Sequence, residues 1–172
     1  VTDHVDRILE QWAKERPDLD VSPMAVIGRL SRLTRLISAE LERTFGAHGL
    51  DRASFDVLAT LRRSGRALTA AELMQAAMIT SGAVTQRLDR LQGRGLVTRT
   101  PSESDKRVVH VALTAEGRAL IDRALPDHVE TEHRLLAALT EERRESLAND
   151  LRDLLESLGD GKSDQTGGTS VK

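Results

Sequence analysis

The sequence predicts a mainly α fold carrying one small β-hairpin. Three observations lead there. Apolar residues recur at helical spacing over most of the chain, Gly, Pro and Asp/Ser/Thr residues mark the breaks between the periodic runs, and only "LVTRT" and "RVVHVAL" are short and rich in β-branched residues. At 172 residues with 39% apolar content, the chain is long enough for one domain with a sizeable core.

The helices follow in order. "VTDHVDRILEQWAKERP" sets Val5, Ile8, Leu9 and Trp12 on one side and stops at Pro17. Ser22 is expected to cap the next helix, with Pro23 at its first position. That helix repeats Ile27, Leu30, Leu33, Leu36, Ile37 and Leu41 until "GAHG" ends it. Asp51 should cap "RASFDVLATLRRSG". Thr69 followed by Glu72 forms a capping box that opens a short helix through Ala77. Thr80 or Ser81 should cap another, ending near Gly93 and Gly95, with Val84, Leu88 and Leu91 facing the core. Ser81, Thr85, Gln86 and Arg90 are left for its open face.

Two short helices around a brief turn, the second exposing small polar groups and arginines, describe a helix-turn-helix. Leu96–Thr100 and Arg107–Leu113 pair most simply as a hairpin with a charged tip. A hairpin directly after a helix-turn-helix is a wing, whose Lys106 and Arg107 can reach a nucleic-acid backbone or minor groove while the preceding helix reads base edges in the major groove. Asp105 either orients Arg107 or itself contacts DNA, where a carboxylate beside phosphates would need a paired cation. Thr114 should cap a further helix that its interior Pro126 bends. A last helix carries the stripe Leu147, Leu151, Leu154 and Leu158.

Charge supports a polyanion partner for one part of the chain only. From Thr80 to His110 six basic residues oppose three acidic ones, whereas from Glu116 to Glu156 eleven acidic residues oppose six basic ones. Two ordinary solvated faces would give the same tally. The leucine stripe needs burial, either within the chain or against a second copy, and a two-fold dimer would present two recognition helices to a two-fold site. The expected organisation is dimerisation helices over 1–48, a winged helix-turn-helix over 51–114, further dimerisation helices over 115–158, and a disordered tail over 159–172.

Other classes fare poorly. Without Cys there is no disulfide, thiolate nucleophile or thiol sensor. No nucleophile has an evident base, no glycine-rich phosphate loop follows a strand, and the five His form no close metal pair, so neither an enzyme nor a metal or cofactor site is expected. The lack of a long apolar run and of a leader points to a cytoplasmic protein. The competing reading is a winged helix serving as a protein–protein scaffold, or a DNA binder without an effector.

From Pro23 to Leu158 the order of elements, with "LTAAEL", "VTQRLDRLQGRGLVTR" and "SDKRVVHVALTAEG", resembles the MarR family of winged helix-turn-helix regulators. The resemblance implies homodimers on pseudo-palindromic operators, usually repressors relieved by a small anionic or phenolic ligand. It extends to the urate-responsive subgroup with an additional N-terminal helix, some of whose members answer to trans-aconitate or citrate. That subgroup's ligand pattern falls here on Trp12, Asp56, Arg87 and Arg99. Each has a plainer reading: Trp12 as an anchor for its helix, Arg87 as a phosphate contact, and Arg99 as a partner of Glu103 or Asp105. An arginine fork suits a carboxylate or ring enolate, and an anion near Asp56 would bring like charges together.

Overall fold

The structure, a computed structural model, describes residues 2–77, 81–102, 105 and 107–160, with the backbone alone at 77 and 81–84. The described chain runs α1 (His4–Glu15), α2 (Ser22–Ala47), α3 (Arg52–Ser64), β1 (Leu68–Thr69), α4 (Ala70–Ala77), α5 (Ser81–Gly93), β2 (Val97–Pro101), β3 (Val109–Leu113), α6 (Ala115–Leu135) and α7 (Glu141–Ser157). It divides into two compact units, Val1–Thr131 and Glu132–Lys172. No described helix is long and apolar enough to cross a membrane.

Local signals set most boundaries. Asp3 caps α1 by accepting from the Val5 and Asp6 amides, and Asp6 reaches back to the Asp3 amide at 2.9 Å. Asp51 accepts from the Ser54 amide at 2.8 Å to start α3, and left-handed Gly65 ends it. The Thr69–Glu72 capping box is present: the Glu72 carboxylate takes the Thr69 amide at 2.7 Å, and the Thr69 hydroxyl takes the Glu72 amide at 3.2 Å. Arg66 first, then Thr69, holds the Glu72 carboxyl down to about 2. The start of α2 corrects the expectation there. Val21 is the cap, without a side-chain bond, and Ser22 is already helical, its amide donating to Asp20 at 2.9 Å.

The hairpin is part of a three-stranded antiparallel sheet ordered β1-β3-β2. The additional strand, β1, pairs Leu68 with Val111 and Thr69 with His110. Its two residues are too few to show a period, so the hairpin alone was legible. The hairpin strands are shifted from the expected limits to Val97–Pro101 and Val109–Leu113, with Arg99 opposite Val111.

The first unit has one core. Leu58 and Val57 of α3, Leu73 of α4, Leu91 of α5, Val97 and Val111 of the sheet, and Ile121 of α6 are all fully enclosed. Burying an aliphatic side chain of this size stabilises by about 1.5–3 kcal/mol. Phe45 stacks on Phe55 with centroids 4.3 Å apart, and the His128 ring lies 4.8 Å from Phe55. α1 docks on α2 by placing Val5 against Gly28. Arg29 then donates to Asp3 at 2.9 Å and to Asp6 at 2.6 Å.

The second unit contains the end of α6, a short turn and α7, which Thr140 caps. Arg144 donates to the Leu136 and Leu139 carbonyls and so holds the turn. No residue of α7 is buried, and Leu147, Leu154, Leu155 and Leu158 are exposed. The expected tail beyond residue 160, like Thr80, lies outside the described residues.

The tightest junction joins the end of the helix-turn-helix to α6. The Thr114 amide donates to the Leu96 carbonyl at 3.1 Å, and the Thr114 hydroxyl donates to Gly95 O at 2.7 Å while capping the Gly117 amide at 2.9 Å. A Cβ at Gly117 would overlap the Leu96 carbonyl oxygen and lie 2.9 Å from its carbon. Backbone meets backbone there, so no side chain can rotate away. Gly117→Ala should lower unfolding free energy by about 1–3 kcal/mol or more, as overpacking does. Chemical denaturation measures the loss, and an unchanged midpoint would refute the close approach.

Candidate nucleic-acid interface

α5 inherits its two faces from its apolar spacing. Leu88 and Leu91 are buried in the core, which turns Thr85, Gln86, Asp89 and Arg90 to solvent. The side chain of Ser81 lies outside the described residues. Arg87 is half-buried, with its Nε enclosed and lacking a hydrogen-bond partner, and its Nη1 donates to Asp51. Arg90 reaches the same Asp51 oxygen at 3.4 Å, and Arg94 donates to the Gly49 carbonyl at 2.9 Å. Two arginines of α5, with Arg94 just beyond its end, therefore meet the segment that leads into α3.

Asp51 works on both sides of that contact. Its Oδ1 caps α3 and its Oδ2 receives Arg87 and Arg90. Burial pushes its carboxyl up, but the Ser54 amide and hydroxyl and the two arginine charges outweigh burial and hold it below its ordinary value.

The wing is tied to α5 by a second ion pair. Arg99 of β2 lies on the sheet face that carries buried Val97 and Val111, and it donates to Asp89 at 2.5 Å. The partner is thus Asp89 and not Asp105; Glu103 lies outside the described residues. At the tip, Asp105 accepts from the Arg107 amide at 2.9 Å and from its Nε at 3.2 Å, as the sequence suggested. The Arg107 side chain stays 92% exposed, so this tie aims the guanidinium and leaves it accessible. Lys106 lies outside the described residues.

Asp56 lines a cleft of about 610 Å³ between α3 and α6, together with Arg52, Thr60, Arg62, Arg63 and His128. Arg62 pairs with Asp122 at 2.6 Å, Arg63 donates to the Ala76 carbonyl, and the buried Thr60 hydroxyl has no hydrogen-bond partner. Burial pushes the Asp56 carboxyl up, against the opposing charges of Arg52, 4.0 Å away, then His128 and Arg63. Of the four residues expected to share a ligand, Asp56 alone lines this cleft. Arg87 lines a second cleft with Glu42, Asp51 and Arg52, Arg99 sits at the α5–wing contact, and Trp12 is part-exposed on α1. The sequence does not mark Asp51, Asp89, Thr60 or Arg63 as site residues, since their surroundings are set by packing between elements and not by local spacing.

A MarR family model matches residues 48–108, the stretch from the arginine-binding turn to the wing tip. The HTH-type transcriptional regulator PecS of Dickeya dadantii is 46% identical over 83% of this chain and 87% of its own length. This chain belongs to the MarR family. Two solved structures share the fold. Sco3205, a MarR family transcriptional regulator from Streptomyces coelicolor in complex with DNA, has a TM-score of 0.75 and 29% identity over 81% of this chain and 93% of its own. Bordetella bronchiseptica BpsR, whose DNA binding is regulated by 6-hydroxynicotinic acid, has a TM-score of 0.69 and 28% identity over 76% of this chain and 98% of its own. This chain, like its relatives, is a transcriptional regulator.

In this MarR-family fold the Asp56 carboxyl binds its proton more tightly folded than unfolded. Stability is therefore lost as pH rises from the ordinary Asp value of about 3.9 through the raised folded value, and that loss persists above it. Asp56→Asn removes the charge and should unfold in urea at or above the wild-type midpoint at neutral pH, the two converging at acidic pH. A lower midpoint for the Asn variant at neutral pH would show that the carboxylate's contacts outweigh its desolvation.

Proposed function

We propose that the chain is a homodimeric, sequence-specific DNA-binding regulator, a repressor that a small anionic ligand releases from a pseudo-palindromic operator. The observation that carries the reading is the exposed face of α5, with Thr85, Gln86 and Arg90, together with an accessible Arg107 on the wing, in a chain built like a regulator solved with DNA. An α-helix fits the major groove, where Gln can bond adenine in two places and Arg can bond guanine or phosphate. Ser81 and Lys106 complete the contact set from the helix start and the wing tip. The wing arginine serves backbone or minor-groove contact.

Dimerisation through α1, α2, α6 and α7 is supported by apolar side chains left open in the single chain. They are Val26, Ile27, Leu33 and Leu36 on α2, with Leu147, Leu154 and Leu155 on α7. In the proposed organisation these helices form the dimerisation region on either side of the winged helix-turn-helix.

The effector reading rests on the arginine-rich cleft around Asp56 and on the regulation of BpsR by a small aromatic acid. Urate is the first candidate and a tricarboxylate, citrate or trans-aconitate, the second, acting through Trp12, Asp56, Arg87 and Arg99. An anion placed beside Asp56 would bring like charges together, and one competing for Arg87 would disturb a pair that orients α5. Release then requires that the ligand bind the DNA-incompetent state more tightly than the competent one.

Two measurements test the proposal. Gln86→Ala should change preference among operator variants by about 1–3 kcal/mol, whereas Arg107→Ala should weaken all sequences alike; equal binding by the Arg107 variant at physiological salt would refute the wing assignment. Calorimetry of the wild type and Arg99→Ala against purines, tricarboxylates and phenolic acids, beside an operator-release assay, should find one class that binds and releases DNA. The Arg99 variant should lose about 2–5 kcal/mol of ligand binding if that charge pair is well buried. A best ligand that leaves the operator complex intact would end the effector reading.

A further inference from the structure

Asp51 lies against the face of α5 that carries Arg87 and Arg90, and its role as helix cap does not require it to be charged. Asn and Ser cap as well as Asp does, because the cap bond needs only a side-chain oxygen for the Ser54 amide. The second carboxylate oxygen is occupied instead by the guanidiniums of Arg87 and Arg90. A carboxylate receiving two arginines presents the charge and acceptor geometry of a DNA phosphate.

We propose that Asp51 is an internal phosphate mimic, a positioning residue that competes with the DNA backbone for Arg87 and Arg90 and so attenuates binding to all sequences. The inference rests on the DNA-binding reading above. Each of these arginines must leave Asp51 or share it before it can neutralise a phosphate. That cost is the same whatever the base sequence, because it is incurred at the backbone and not at base edges. Thr85 and Gln86 have no tie to Asp51, so discrimination between sequences is untouched while the non-specific background is lowered.

The geometry also separates the two arginines. Arg87 is the more enclosed, 23% exposed against 66% for Arg90, and its pairing with Asp51 is the shorter. Arg90 is therefore the one that DNA draws away first.

Asp51→Asn and Asp51→Ser retain the cap and remove the charge. Binding of each to a selected operator and to an unrelated duplex of equal length, at fixed salt and with thermal melts as a folding control, tests the proposal. Both variants should bind both duplexes several-fold tighter than wild type, by similar factors, with an operator-to-unrelated ratio no higher than the wild type's. Adding Arg90→Gln should remove most of the gain. Cooperative melts with no tighter binding by either variant, or a gain that persists undiminished in the double variant, would overturn the inference alone. A wild type that binds no duplex would overturn the DNA-binding reading and this inference with it.

Discussion

The placement of the wing against the core depends on one backbone contact, where Leu96 at the end of the helix-turn-helix meets Gly117 in the first turn of α6. A hydroxyl and an amide of Thr114 close the gap on either side. Since Leu96 precedes β2 and Thr114 follows β3, this junction fastens both ends of the hairpin to the same helix start. The sheet then has no freedom to pivot independently of α6, and the wing tip inherits its position from the core. The charged string that ends in "LTAEG" thus has a mechanical reason to end in glycine.

Around that rigid frame α5 is trimmed by charge. Asp51 holds one side of α5, the Gly49 carbonyl holds Arg94 just beyond its end, and Arg99 holds Asp89 on another side. Ion pairs with exposed members contribute only about 0–1 kcal/mol each, so these ties do little for the global fold. Their value is angular. A helix anchored by Leu88 and Leu91 alone could roll about its axis, and polar ties on two flanks oppose that roll without burying its exposed face.

How much of this was readable in the sequence follows from the range of each interaction. The caps at Asp51, Thr69 and Thr114 act over three residues and were evident, as were the stripe on α5 and the wing. Ser22 misled because Pro23 tolerates either of the first two helical positions, and the cap fell one residue earlier. β1 escaped notice because its pairing partner lies more than forty residues away, at Val111. Arg99 had Asp105 close by in sequence, yet it pairs with Asp89, on the helix that packs against β2. The ligand quartet came from resemblance, and the fold puts Asp56 and Arg87 in two separate clefts; Thr60 and Arg63, which share the first with Asp56, lie on α3 at positions that helical spacing alone could not distinguish from surface.

The docking of α1 carries an optical consequence. The chain has one Trp, no Tyr and two Phe, and the single indole sits on α1, half-exposed, while both phenyl rings are sealed in the core. Nearly all intrinsic emission therefore originates from a helix held to the body by Val5 and by the forked grip of Arg29 on two carboxylates. The protein comes with a native fluorophore mounted on its N-terminal helix, and a quencher in solution will report how firmly that helix is seated without any label being added.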